Sequence, residues 1–384
     1  MFFRQFLDDD LGCASYLIGD ESAGSAVVVD PTLDVEPYLE EAKRRGLRLE
    51  RVLETHTHAD HVSGHGRLAL ELGVPIAVHA AGAPEFPFEP LEDGAELALG
   101  DVVVRVLHTP GHRPEHCAFA VADRSRADEP WLVLTGDSLF VGDVARPDLA
   151  VDAREGAEGL FHSLRALTEL GDGVEVYPGH VSGSLCGAGM SAKASSTIGF
   201  ERRFNRLAAV GELDEFVAEA TGAGMPKPPN SERIVALNRG PFVGAPPAAS
   251  PVTEVAGAVV LDVRPAPEFA LGHAAGALNV PVSGSRFATK AGFLLGADEP
   301  VVLHATSEAD VRRAERGLHA IGLFSVAGYS LDPPLTERLE PIVELDELER
   351  LVADDAVELL DVRVADERAS GYIAGSRHVP YRLL

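Results

Sequence analysis

Cysteine is scarce in this 384-residue chain: there are three, Cys13, Cys117 and Cys186, and none follows position 186. So few thiols leave no disulfide framework and fit a reducing compartment, so a cytoplasmic protein is expected. Basic residues are in deficit too. Lysine and arginine number 33 against 60 aspartate and glutamate, a net charge of −27. Such a balance argues strongly against nucleic acid or an anionic membrane as a partner. No apolar run approaches the roughly 20 residues that cross a bilayer. The opening Met1-Phe2-Phe3-Arg4-Gln5-Phe6-Leu7 is cut off by Asp8-Asp9-Asp10, so no signal-peptide core forms. The length suffices for two or three domains with substantial cores. A homo-oligomer is left open.

What is present is concentrated in His56-Thr57-His58-Ala59-Asp60-His61, three imidazoles and a carboxylate within six positions. The run Arg51-Val52-Leu53-Glu54-Thr55 before it reads as a buried strand ending in a polar loop, a rigid place to hold a metal. Imidazole with carboxylate suits zinc, iron or manganese. Three more candidates follow: His112 in Thr109-Pro110-Gly111-His112, Asp137 in Thr135-Gly136-Asp137-Ser138, and His180 in Tyr177-Pro178-Gly179-His180. Each comes just after a short apolar run: Val102 to Leu107, Trp131 to Leu134, and Val174 to Tyr177. Four strand ends thus deliver ligands to one point.

The order HxHxDH, TPGH, GD and a last His resembles the metallo-β-lactamase superfamily over roughly residues 1–240. The resemblance implies an αββα sandwich with the site at one edge. Local signals agree. Val27-Val28-Val29 reads as a buried strand, Pro37 to Arg45 as a helix stopped by Gly46, Gly64 to Leu72 as a second helix, and Val74 to Val78 as a strand. Within the superfamily, Arg146-Pro147-Asp148 after the GD motif looks like the persulfide dioxygenases, and so do Ala59 before Asp60 and the segment Met225-Pro226-Lys227-Pro228-Pro229. Ala145 departs from the glycine common in these families.

That likeness implies one iron(II) ion held by His56, His112 and Asp137, an open face for a thiol persulfide and O2, and sulfite with free thiol as products. His58, Asp60, His61 and His180 would then orient ligands and move protons. Glutathione persulfide is the default, with coenzyme A, mycothiol and bacillithiol persulfides open. The alternative is a thioester hydrolase of the glyoxalase II type, with two zinc ions about 3.5–4 Å apart using all seven groups. A non-enzymatic sulfur-relay scaffold would not need so many convergent ligands. Arg146 and Asp148 are expected as an ion pair bracing the metal loop. Cys13 and Cys117 lie in strand-like runs and read as small buried hydrophobes. Cys186, in a glycine-rich loop six residues after His180, reads either as an inert loop thiol or as a thiol that faces the cavity and exchanges sulfur. His65, His79, His108, His116 and His162 match no motif and read as ordinary histidines.

Past residue 240 the character changes. Residues 241–251 are proline-rich and read as an extended linker. An internal repeat follows at an offset of 99: Asp262-Val263-Arg264 recurs as Asp361-Val362-Arg363, Gly272 as Gly371, and Val280-Pro281 as Val379-Pro380. Across 20 aligned positions 11 are identical, which marks a repeated unit. The pattern resembles the rhodanese domain, implying a small parallel α/β unit over 252–335 and an incomplete second unit over 340–384. A rhodanese needs a cysteine in the loop after its next strand, where amides stabilise the thiolate. After Val301-Val302-Leu303-His304 that place holds Ala305. The unit is therefore expected to dock or dimerise rather than transfer sulfur.

Overall fold

The computed structural model of the protein describes residues 1–181, 189–222, 227–253, 257–332, 335–339 and 343–380. Its first sheet is built in chain order from Phe2–Leu7 (β1), Ala14–Asp20 (β2), Ser25–Val29 (β3), Arg48–Leu53 (β4), Ile76–Val78 (β5) and Glu89–Pro90 (β6). The first three strands pair antiparallel and the rest parallel. Parallel pairing needs crossovers, and helices Glu36–Arg45 (α1) and His65–Leu72 (α2) supply them. Helix α1 stops where expected, because Gly46 takes φ 68° and its N–H returns to the carbonyls of Ala42 and Lys43.

The second sheet holds Glu96–Leu99 (β7), Val102–His108 (β8), Cys117–Asp123 (β9), Leu132–Gly136 (β10), Glu175–Pro178 (β11) and Ser196–Thr197 (β12). Helix Ala153–Thr168 (α3) carries the one parallel crossover, from β10 to β11. Ile198–Phe204 (α4), Leu213–Ala220 (α5) and Ser231–Arg239 (α6) follow. Tyr16, Val27, Val29, Val104, Phe119 and Leu134 form one core between the two sheets. Tyr38, Ala42 and Leu68 cover the first sheet's outer face, and Leu160, Leu164 and Phe216 the second's. Strands covered on both faces must be apolar throughout, which is why Ser25–Val29 is buried at every position. The layers are therefore helix, sheet, sheet, helix, as expected.

Residues 257–332 form a separate parallel sheet in the order β14-β13-β15-β16: Val259–Asp262 (β13), Leu278–Asn279 (β14), Val301–His304 (β15) and Val326–Ser330 (β16). Ala266–Leu271 (α7), Phe287–Leu294 (α8) and Glu308–Ala320 (α9) connect them. Beyond come Leu345–Ala353 (α10), Leu360–Asp361 (β17), Ala365–Ala369 (α11) and Arg377–His378 (β18). The sequence repeat is also a structural one. In the first copy Arg264 holds the Asp262 carboxylate and donates to Gly272 O at 2.9 Å. In the second, Arg363 holds Asp361 and donates to Gly371 O at 2.7 Å.

The C-terminal sheet does not hang on a tether. Leu11, Cys13, Leu33, Val62 and Ile234 share one core with Phe287, Ala288, Val311, Ala314 and Leu318. Each fully buried aliphatic or aromatic side chain there contributes about 1.5–3 kcal/mol. Asp10 accepts the backbone N–H of Ala288 at 2.8 Å, capping α8 from the other side of the boundary. Val62 N donates to Ala320 O at 2.7 Å. Residues 241–251 lack regular structure and are mostly exposed, but the strip is fastened at its end, where Ala249 is buried and Val252 N and Tyr329 N donate to Tyr329 O and Ser250 O. The expected docking is thus within the chain, onto the loop that carries the histidine motif.

Candidate metal centre

His56 follows β4, His112 follows β8, Asp137 follows β10 and His180 follows β11, so the four strand ends do meet. His56, His112 and Asp137 are all buried and offer ligand atoms within 4.8 Å of one another. His56 Nε2 lies 3.9 Å and His112 Nε2 3.7 Å from Asp137 Oδ2. That oxygen has no hydrogen-bond partner among the described residues. A buried, unpartnered carboxylate oxygen is costly unless a cation meets it, so the donors fit a metal. The rings are set for it. His112 Nδ1 donates to Arg146 O at 3.0 Å, leaving Nε2 unprotonated toward Asp137. Burial pushes the pKa of His56 and of His112 down, keeping both in the neutral form a metal needs. Burial raises that of Asp137, but His180 and His112 outweigh it and bring it to about 2.

The four remaining motif residues fall into two other groups. His180 bridges: Nδ1 lies 2.7 Å from Asp137 Oδ1 and Nε2 2.6 Å from Asp60 Oδ2. His61 Nδ1 lies 3.2 Å from Asp60 Oδ1. Cys13 Sγ sits among them, 3.4 Å from His61 Nδ1, 3.4 Å from His180 Nε2 and 3.6 Å from Asp60 Oδ2. His58 faces elsewhere, its Nε2 3.3 Å from both Asp30 Oδ1 and Glu54 Oε2. These are ion-pair distances, but neither contact is aligned as a hydrogen bond. Burial and His61 lower the His58 pKa, yet the two carboxylates prevail and raise it to about 9.

Several residues that hold the centre carried no motif. His116, read as ordinary, accepts the Asp137 backbone N–H on Nε2 at 2.9 Å, while its Nδ1 pairs with Thr109 Oγ1 at 2.8 Å. Asn238 on α6 donates to His58 O at 3.0 Å and His61 O at 2.8 Å and accepts from Ser63 N at 2.9 Å. Glu54 pairs with His65 Nδ1 at 3.0 Å as well as with His58, and an acid inside an apolar run was a legible signal. Cys13 is buried in the apolar core as expected, and its sulfur also meets the polar groups of Asp60, His61 and His180. Arg146 and Asp148 do form a two-point ion pair, at 2.6 and 2.8 Å. Gly136 has φ 48°, and a Cβ there would fall 2.6 Å from His116 Nε2. Cys186, Met225 and Pro226 lie outside the described residues. Among the described residues no helix is long and apolar enough to cross a membrane.

Residues 8–180 match the family model described as the metallo-beta-lactamase superfamily. The persulfide dioxygenase ETHE1, mitochondrial, of Homo sapiens is 29% identical over 242 residues, covering 62% of this chain and 87% of its own. A metallo-beta-lactamase from Staphylococcus aureus superposes with a TM-score of 0.80 at 31% identity, covering 87% of this chain and 99% of its own. That share is more than residues 1–240 can supply, so the C-terminal sheet is part of the likeness. ETHE1 from Myxococcus xanthus superposes with a TM-score of 0.55 at 31% identity, over 62% of this chain and 98% of its own.

Proposed function

We propose that this chain, which belongs to the metallo-β-lactamase superfamily, is a persulfide dioxygenase with one iron(II) ion held by His56, His112 and Asp137. The observation that carries the reading is the separation of the seven motif groups. Two imidazoles and one carboxylate converge as a set of their own. The rest are engaged with Asp30, Glu54, Cys13 or one another, and His180 also reaches the triad through Asp137 Oδ1. Two histidines and one carboxylate with open positions suit a non-haem iron oxygenase, whereas a two-zinc hydrolase centre draws in all seven. The persulfide dioxygenase ETHE1 of Homo sapiens and the likeness to ETHE1 of Myxococcus xanthus support the same branch.

Bound there, iron(II) supplies the redox chemistry by which dioxygen can react with a persulfide sulfur. The balance is one persulfide, one dioxygen and one water giving one thiol, one sulfite and two protons. The chain's own residues position the reactants and take up those protons. His180 receives a proton at Nε2 or passes one to Asp60 Oδ2, while its Nδ1 holds Asp137 Oδ1 still. His58, held between Asp30 and Glu54, sets its ring beside that of His56, 4.3 Å between centroids, and so steadies the ligand ring. A cavity of about 20 Å³ lined by His56, Thr57, His58, His79 and Arg239 has room for one water beside the triad. The C-terminal unit, rhodanese-like in sequence but with Ala305 in the nucleophile's place, serves as a docked support. Glutathione persulfide is the first substrate to try.

The test is anaerobic purification with metal analysis, then oxygen uptake on glutathione persulfide. One iron per chain and stoichiometric sulfite are expected. His112→Ala should abolish both iron and uptake, and His61→Ala should keep most of the iron. Two zinc ions per chain with thioester hydrolysis and no uptake would overturn the proposal.

A further inference from the structure

We infer a separate binding site, for a small peptide-like zwitterion, in the cleft where the sandwich meets the C-terminal sheet. None of the seven motif residues lines this cleft. It lies behind the histidine loop, since Ala320, which lines it, accepts the hydrogen bond from Val62 N.

The cleft holds about 530 Å³, a volume typical of sites for small organic molecules. Leu11, Val282 and Phe287, all buried, give it an apolar floor. Its acids come from the sandwich. Its bases come chiefly from α9, where Arg313, Arg316 and His319 recur at every third position and so share one helix face.

Part of that charge is already paired within the protein. Asp8 Oδ1 accepts from Asp10 N at 2.9 Å and Leu11 N at 3.0 Å, and Asp10 accepts from Ala288 N at 2.8 Å. Glu36 binds Arg67 through both oxygens, at 2.8 and 3.1 Å. Asp9, Asp34, Arg313 and Arg316 are left. Asp9 and Arg313 make no side-chain hydrogen bond or ion pair among the described residues. Arg316 reaches Asp34 at 3.8 Å, too far for a hydrogen bond. Two carboxylates facing two guanidinium groups across open space suit a ligand that carries both an ammonium and a carboxylate. A ligand of one sign would meet one wall of like charge. The volume suits a molecule roughly of di- or tripeptide size.

Two further observations point to a ligand. His319 lines the cleft and is 8% exposed, yet its Nε2 is buried with no hydrogen-bond partner among the described residues. Such a group is costly unless something meets it. Burial pushes its pKa down, so the ring is neutral and suits a peptide group rather than a charge. Asp34 is short of a cation. Burial and the Glu36 carboxylate raise its pKa to about 6, against the pull of Arg316 and Arg67. An ammonium beside it lowers that pKa and expels the proton.

The test is calorimetric titration of the full-length protein with S-methylglutathione and with triglycine, zwitterions that carry neither thiol nor persulfide. At least one should bind at one site per chain. At pH 6 the heat should depend on the buffer, because protons are released. Arg313→Ala and Asp34→Asn should each weaken binding at least 10-fold, and Arg154→Ala, on exposed α3 and outside the cleft, should not change it. Should a cleft variant fail to fold, the ligand decides: its N-acetylated, C-amidated form must bind wild type at least 10-fold more weakly. No binding of either peptide, affinity unchanged in either folded cleft variant, or equal binding of the blocked peptide would overturn the inference. None of these readouts involves iron or oxygen uptake, so the inference and the proposed activity fail separately.

Discussion

Asn238→Ala should cost the protein more than any single ligand substitution costs its fold. The amide joins α6 to three backbone groups of the histidine loop: it donates to His58 O and His61 O and accepts from Ser63 N. Asn238 is 5% exposed, so truncation strands these groups away from water. Leaving a buried polar group unpaired costs about 1–3 kcal/mol, so three give about 3–5 kcal/mol once some water has entered. At about 2 °C per kcal/mol for a chain of this size, the melting temperature should fall by roughly 6–10 °C. The slackened loop should also bind metal about 10–100-fold more weakly, as removal of an outer partner commonly does. Asn238→Asp separates the contacts, because it keeps an acceptor for Ser63 N but turns a negative oxygen toward two carbonyls. It should be no better than alanine. Calorimetry and metal analysis check both variants. A melting temperature for Asn238→Ala within about 2 °C of wild type, with full metal content, would refute the claim that this residue fastens the loop.

Other expectations can be checked alongside. In metal-free protein His58 stays charged up to about 9, because Asp30 and Glu54 outweigh burial and His61. A folded pKa above the unfolded 6.5 stabilises fully below about pH 6.5 and is lost as pH rises through about 9, on the order of 3 kcal/mol. Denaturant titrations of wild type should weaken across that window more than those of Asp30→Asn, and parallel curves would contradict it. Gly136→Ala puts a Cβ 2.6 Å from His116 Nε2 and 2.8 Å from Thr55 Cβ at φ 48°, so about 3 kcal/mol or more of stability should go, with the metal. Ala305→Cys should show almost no thiosulfate:cyanide sulfurtransferase activity. The start of α9 is already occupied by the Asp310 carboxylate, which accepts from Ser307 Oγ at 2.6 Å and Thr306 Oγ1 at 3.1 Å. Turnover near that of a working sulfurtransferase would refute this.

The sequence made legible whatever is local or periodic. Runs such as Ala26-Val27-Val28-Val29 announce strands buried on both faces, Gly46 announces a helix end, and four ligands after four such runs announce a converging centre. The Asp-x-Arg repeat marks both braces. What stayed hidden depends on partners far away in the chain. Cys13 reads as apolar because its flanks are apolar, yet its neighbours arrive from positions 60, 61 and 180. Asn238 sits in an unremarkable helix, 177 and 180 residues from the carbonyls it holds. His116 differs from His108 only in what the sheet packs around it. The place where the C-terminal sheet docks had no signal either, since Leu11, Leu33 and Val62 look like any other core residues.

The hydrogen bond from Val62 N to Ala320 O bears on the order of events at the ribosome. Every proposed ligand has left the exit tunnel by His180, but the amide that ties the histidine loop emerges with Asn238, and the cover over Leu11, Cys13 and Val62 with residues 287–323. For more than a hundred residues of synthesis the growing chain carries ligands in a loop not yet fastened, beside apolar surface not yet covered. Ion capture by the nascent chain and by the finished protein are therefore different reactions. Slowing translation after residue 180 lengthens the interval in which the wrong ion can enter.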